Sequence, residues 1–217
     1  MTVATILSSL APLSTDDTVG DALVELAEAG VAHLPVLDPR GRLDSVVAEA
    51  ALRAHPETAA PLGALVAGEP ISIDLDTHVF DAAHLMRQHG LSVLPVVGAE
   101  GAYAGLVVRS AVFGQLAHML ATEEPGAIIV LDMARADFSL GQVVQLIEQN
   151  GVRILSVSTE DDPGAGRVQV TLKLNVTDTA RVRHMMAHYD YRVVAVFDEV
   201  EDDLEARAAA FLRYLDV

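Results

Sequence analysis

The chain has 217 residues, 51% of them hydrophobic, and no cysteine. That is apolar material for one large core or two smaller ones, and it excludes disulfides, thiolate metal sites and cysteine nucleophiles. The net charge of −17 repels nucleic acid, so neither DNA nor RNA is an expected partner.

Residues 2–10 read as a short lead-in helix and Leu13-Ser14 as a brief strand. Thr18-Val19-Gly20-Asp21 has capping-box spacing, so a helix is expected to start there. Its apolar stripe is Val19, Ala22, Leu23, Leu26 and Ala27, and Gly30 sits where a left-handed cap is wanted. A strand His33 to Leu37, the turn Asp38-Pro39-Arg40-Gly41, a strand Leu43 to Val47 and a short helix Glu49 to Ala54 follow, ending before Pro56.

The same order then returns. After an alanine- and proline-rich connection with a short helix at Leu62 to Val66, Pro70-Ile71-Ser72-Ile73 is the second lead strand. A helix Thr77 to His89 turns Val79, Ala82, Ala83 and Met86 inward. Strands Val93 to Val97 and Tyr103 to Val108 flank the turn Gly98-Ala99-Glu100-Gly101, and a helix Ser110 to Ala121 closes the copy. Gly30-Val31-Ala32-His33-Leu34-Pro35-Val36 matches Gly90-Leu91-Ser92-Val93-Leu94-Pro95-Val96 without a gap, with Asp21 on Asp81 and Gly41 on Gly101.

Glu123-Glu124-Pro125-Gly126 reads as a junction. Beyond it come a strand Ala127 to Met133 and a helix Ser139 to Asn150 with the stripe Leu140, Val143, Val144 and Ile147. A strand Val152 to Thr159, a turn-rich loop Glu160 to Gly166 and an alternating strand Arg167 to Leu174 follow. A helix Asp178 to Tyr189 burying Val182, Met185, Met186 and Tyr189, then a strand Tyr191 to Phe197, complete β-α-β-β-α-β. His184 and His188 lie off the apolar stripe and read as a solvated face, so no metal is expected. Glu201-Asp202-Asp203 opens a last helix with the stripe Leu204, Ala208, Phe211, Leu212 and Leu215.

The repeated unit, with Leu-Pro-Val opening its first hairpin strand, resembles the cystathionine β-synthase (CBS) domain, whose tandem pairs sense adenine nucleotides. The last third, with Leu140 followed by Gly151-Val152-Arg153-Ile154, resembles the ACT domain, an amino-acid-sensing regulatory fold. The two together resemble the layout of acetoin-utilisation B-type proteins. The expected fold is α/β (α+β): CBS domains at 1–55 and 56–122, a ferredoxin-like βαββαβ ACT-type domain at 126–198, and a C-terminal helix at 199–217.

The CBS resemblance implies a nucleotide phrase after each second hairpin strand: Gly, two apolar residues, Thr or Ser, two variable residues, Asp. The copies here read Ser45-Val46-Val47-Ala48-Glu49-Ala50-Ala51 and Gly105-Leu106-Val107-Val108-Arg109-Ser110-Ala111. The hydroxyl has become Ala48 and Val108, and the ribose-binding carboxylate has become Ala51 and Ala111. Up to Thr122 there are five arginines against fourteen acidic residues, so weak or absent ATP binding is expected. His33, just before Leu-Pro-Val, either contacts a ligand or is a strand-edge histidine bonded to backbone. Arg109 either meets a phosphate or is a surface arginine. The candidate ligand-binding residues are His33, Ser72, Ser92, Arg109 and Ser110, which centres an adenosine-type site near Arg109. In the ACT-like part Asp137 and Phe138 stand where the family has Pro-Gly, and phenylalanine fills the space a ligand would approach.

The expected function is a non-catalytic regulatory, ligand-sensing protein, with no enzyme activity and no cofactor beyond an adenosine-type nucleotide ligand. The alternative is a structural or interaction scaffold with degenerate sites. The expected partners are a second copy of the chain, through the CBS helices and the ACT-like sheet, and an adenine nucleotide or small metabolite. With no signal-peptide pattern and no apolar run long enough for a membrane span, a cytoplasmic location without membrane association is expected.

Overall fold

The computed structural model describes residues 1–65, 69–162, 164–189 and 191–197. The expected helix over 201–217 lies outside them. The chain divides into two compact units, Met1–Leu116 and Ala117–Val217.

In the first unit each repeat is a three-stranded sheet backed by helices. β1 (Leu13–Ser14) runs parallel to β2 (His33–Leu37), which pairs antiparallel with β3 (Leu43–Ala48). α1 (Val19–Ala29) and α2 (Glu49–Ala54) complete this repeat. The second repeats it as β4 (Ile73–Asp74), α3 (Val79–His89), β5 (Val93–Val97), β6 (Tyr103–Val108) and α4 (Arg109–Met119). Both hairpins shift register at the same place, between Val36 and Leu37 and between Val96 and Val97. β1 pairs only with Val36 and Leu37, so Pro35 has a strand partner on one side, as a residue without an N–H requires.

The helix ends follow from local chemistry. Asp21 N–H donates to Thr18 Oγ1 (3.2 Å) and Thr18 N–H to Asp21 Oδ2 (3.1 Å), closing the expected capping box. At the start of α3 the cap is His78 instead: Nδ1 accepts from Phe80 N–H at 3.2 Å, and the helix begins two residues later than Thr77. Gly30 and Gly90 end the helices at φ +64° and +67°, a conformation that costs a side-chain-bearing residue dearly.

The lead-in segments dock crosswise. Residues 3–6 form a 3₁₀ turn rather than a helix over 2–10, and Val3 is fully buried in the second repeat's core, with its N–H on Thr77 O (2.9 Å). Leu62, in a 3₁₀ turn over Leu62–Ala64, is fully buried in the first repeat's core, with its N–H on Asp17 O (2.8 Å). Each repeat therefore covers its core with a residue that lies before the other repeat's sheet in the sequence. The second lead strand shortens to Ile73–Asp74, which leaves Ser72 outside the ladder.

The second unit is β7 (Ile128–Ala134), α5 (Leu140–Gln149), β8 (Ile154–Asp162), β9 (Arg167–Leu174), α6 (Ala180–His188) and β10 (Arg192–Phe197). The sheet order is β10-β7-β9-β8, antiparallel throughout. This is the ferredoxin-like βαββαβ arrangement of the ACT type. Val168, Val170, Leu172 and Leu174 are all buried, as their alternation requires.

Three expectations change here. β8 continues through Glu160–Asp162, because Asp162 Oδ1 accepts from Gly164 N–H (3.0 Å) and Ala165 N–H (3.1 Å) and so tightens the turn into β9. Leu140, the first residue of α5, and Tyr189, just past the end of α6, stand exposed rather than buried. On the other side of the sheet Asp132 accepts both contacts from Arg167 Nε, 2.8 and 2.9 Å, which holds its carboxyl below the usual range.

Candidate ligand cleft

The backbone of the first unit brings the two repeated phrases edge to edge. Ala32 N–H donates to Ser92 Oγ (3.0 Å), and Ser92 N–H donates to His33 Nδ1 (3.2 Å). Ser92 Oγ also stands 3.1 Å from His33 Nδ1. The Ser92 N–H has only an acceptor's place to reach, so Nδ1 carries no proton and the neutral ring holds its proton on Nε2. Burial, followed by the positive charge of Arg109, pushes the His33 pKa below its usual value and favours this neutral form.

His33 lines a cavity of about 530 Å³, within the range that holds small ligands. One wall is Ser45–Ala48 of β3 with Ala51 and Leu52 of α2; the other is Glu69–Ile71 and Leu91. First-repeat elements thus face the segment that leads into the second repeat. Among the described lining residues there is no lysine or arginine, and the one carboxylate is Glu69. The Ser45 hydroxyl is buried without a hydrogen-bond partner. The alanines at 48 and 51 stand in this wall, so the absent hydroxyl and carboxylate are absent from the cleft itself.

The five sequence candidates scatter. His33 lines the cleft and Ser92 holds its ring; Ser72 and Ser110 are outside the lining, Ser110 exposed. The Arg109 guanidinium is tied to backbone: Nε donates to Leu91 O (3.0 Å), and Nη2 to Gly90 O (3.2 Å) and to Leu91 O. It borders a second, shallower hollow of about 380 Å³ between α3 and α4, with Met86, Val112 and Phe113. Sequence reading missed His55 and Glu69 in the main cleft. The available signal was the position of Glu69-Pro70-Ile71 just before the second lead strand, which the crosswise docking carries to the first repeat.

In the second repeat the corresponding strand is covered differently. Gly105, at φ +146°, lies under Leu7, whose side chain would be 3.4 Å from a Cβ built there. Ser8 N–H donates to Leu106 O at 2.8 Å, which fixes the segment on β6. In the ACT-like unit Phe138 packs against the sandwich core from the position after a 3₁₀ turn over Arg135–Asp137.

The first unit is thus a pair of crosswise-docked β-α-β-β-α repeats around an inter-repeat cleft. Residues 5–55 and 62–118 match the CBS domain family, and the chain belongs to it, carrying the domain as a tandem pair. CBS pairs are as a class regulatory, ligand-sensing modules.

A CBS domain pair/ACT domain protein from Thermotoga maritima is 21% identical, with a TM-score of 0.51, over 56% of this chain and 100% of that one. A Vibrio cholerae protein assigned to acetoin utilisation is 21% identical, with a TM-score of 0.50, over 57% of this chain and 95% of that one. The A-adding tRNA nucleotidyltransferase of Aquifex aeolicus is 30% identical over 96 residues, 42% of this chain but 11% of that enzyme. Among the described residues no helix is long and apolar enough to cross a membrane.

Proposed function

We propose that the chain is a non-catalytic regulatory protein that binds an adenosine-type ligand in the first-repeat cleft. One observation carries this reading: the cavity draws one wall from β3 and α2 and the other from Glu69–Ile71 and Leu91. A ligand touching both walls favours one arrangement of the repeats over others, which is the differential affinity a sensor needs. His33 offers Nε2–H to it, with Ser92 fixing the tautomer.

The test is a thermal-shift series of the full chain with adenosine, AMP, ADP and ATP. A shift with at least one that His33→Ala reduces supports the proposal. No shift with any of them leaves the scaffold reading, which the alanines at 48, 51 and 111 and Val108 favour.

The regulatory reading includes a homodimer. Phe113 is 72% exposed on α4 and Phe80 56% exposed on α3, and apolar helix faces of that kind are covered in a stable assembly. Sedimentation equilibrium at micromolar concentration is expected to give twice the chain mass; a monomer would remove this part of the proposal.

A further inference from the structure

The charge of the cleft wall says more about its ligand than the cleft's size does. We infer that the first-repeat cleft takes an uncharged or cationic nucleoside and discriminates against nucleoside phosphates. The inference rests on the proposed function, since it names the class of ligand for the same cleft.

A 5′-phosphate brings about two negative charges at neutral pH. Replacing its hydration takes a cation or several donors converging on it, more than a single hydroxyl supplies. The described wall has no lysine or arginine. Ala48 and Ala51 present only methyl groups to the cleft, so this part of the wall adds no side-chain donor for a phosphate. The carboxylate in the lining, Glu69, is exposed, and at the rim of the cleft it disfavours an anion and favours a cation.

Arg109 is the cation whose charge His33 feels. Its guanidinium is already bonded to the carbonyls of Gly90 and Leu91 and stands outside the wall. Releasing it toward a phosphate would leave those carbonyls without their charged donor. What remains suits a neutral heteroaromatic ligand: apolar surface from Val47, Leu52 and Ile71, the donor on His33 Nε2, and the unpartnered hydroxyl of Ser45.

Calorimetry on the full chain, at fixed pH and salt, with adenosine, 5′-amino-5′-deoxyadenosine, AMP and ATP tests the ranking. Adenosine and the amino nucleoside are expected to bind at least about tenfold more tightly than AMP, and ATP more weakly than AMP. Glu69→Gln is expected to narrow the gap between the amino nucleoside and AMP while leaving adenosine within about twofold. AMP or ATP binding more tightly than adenosine would overturn the inference and leave the sensor reading standing. In that case, loss of the preference in Arg109→Ala would show that Arg109 swings into the cleft. A gap unchanged by Glu69→Gln would remove Glu69 from the account and, with it, the charge argument. Binding of none of the four would overturn the proposed function itself.

Discussion

The two repeats share a backbone and differ in what covers the same strand. In the first, β3 faces an open cavity; in the second, β6 lies under Leu7, with Ser8 bonded to Leu106. The hydrogen bonds that build the frame are copied nearly one for one: Val3 on Thr77 answers Leu62 on Asp17, and Ala4 on Leu75 answers Gly63 on Thr15. Side chains at the cleft are not copied. Ser45 stands where Gly105 does, and Leu7 lies over the glycine so closely that a Cβ there would already be in van der Waals contact with it. A repeated frame therefore does not imply a repeated site, because the frame depends on main-chain bonds and core volume, and the site on a few side chains.

The largest expected effect probes the copied frame. Leu62 is fully buried in a core drawn mainly from the first repeat, with Val93 and Leu106 added from the second, so Leu62→Ala should cost about 2–5 kcal/mol. Denaturant titration should show a lower midpoint at unchanged slope. Val3→Ala should destabilise as well, by less, since fewer atoms are removed. If only one of the two variants loses stability, the crosswise docking is not reciprocal.

Leu7→Ala sharpens the difference instead. Removing the side chain that covers Gly105 should add a second, weaker binding event for adenosine, with the stoichiometry by calorimetry rising above one per chain. An unchanged stoichiometry would mean that the side chains at 108 and 111, not Leu7, keep that cleft silent.

The helix caps give a smaller contrast. Thr18→Ala removes a reciprocal capping box and should cost about 1 kcal/mol. His78→Ala removes a single bond at the equivalent place and should cost less. Equal losses in denaturant midpoints would contradict the idea that the two starts are held differently.

The smallest effect is a pH dependence that only the first repeat should show. His33 has a folded-state pKa below its ordinary 6.5, so the unfolded chain takes up its proton first as pH falls. The stabilisation from the neutral ring on Ser92 is fully present above pH 6.5 and is lost as pH falls through 6.5 toward the folded-state value. His33→Ala should flatten this part of the stability-against-pH curve, and an unflattened curve would assign the dependence to another group. Tyr103, pushed up to about 12 by burial, lies far outside this window.

Much of the fold was legible in the residues. Thr18 and Asp21 at capping distance, glycines at 30 and 90, and the gapless match of the two Leu-Pro-Val phrases were enough to place helices, strands and the repeat. The alternation of Val168 to Leu174 placed the inner face of the second sheet. These signals are local: a cap, a left-handed residue or a period-two pattern is read within a few positions. The missing ribose carboxylate was legible for the same reason, as Ala51 and Ala111.

The location of the cleft depended on tertiary structure. Sequence spacing drew attention to Arg109, a cation in the right phrase, yet its guanidinium is bonded to the carbonyls of Gly90 and Leu91 just past α3. Glu69 and His55 drew none, although the fold sets both in the lining of the cleft that His33 also lines. Sequence by itself determined the elements and the chemistry that each phrase lacks. Tertiary structure decided which repeat keeps an open cleft and which charges face it, because those depend on segments far apart in the chain, Leu7 against Gly105 and Glu69–Ile71 opposite β3, and no local pattern encodes that meeting.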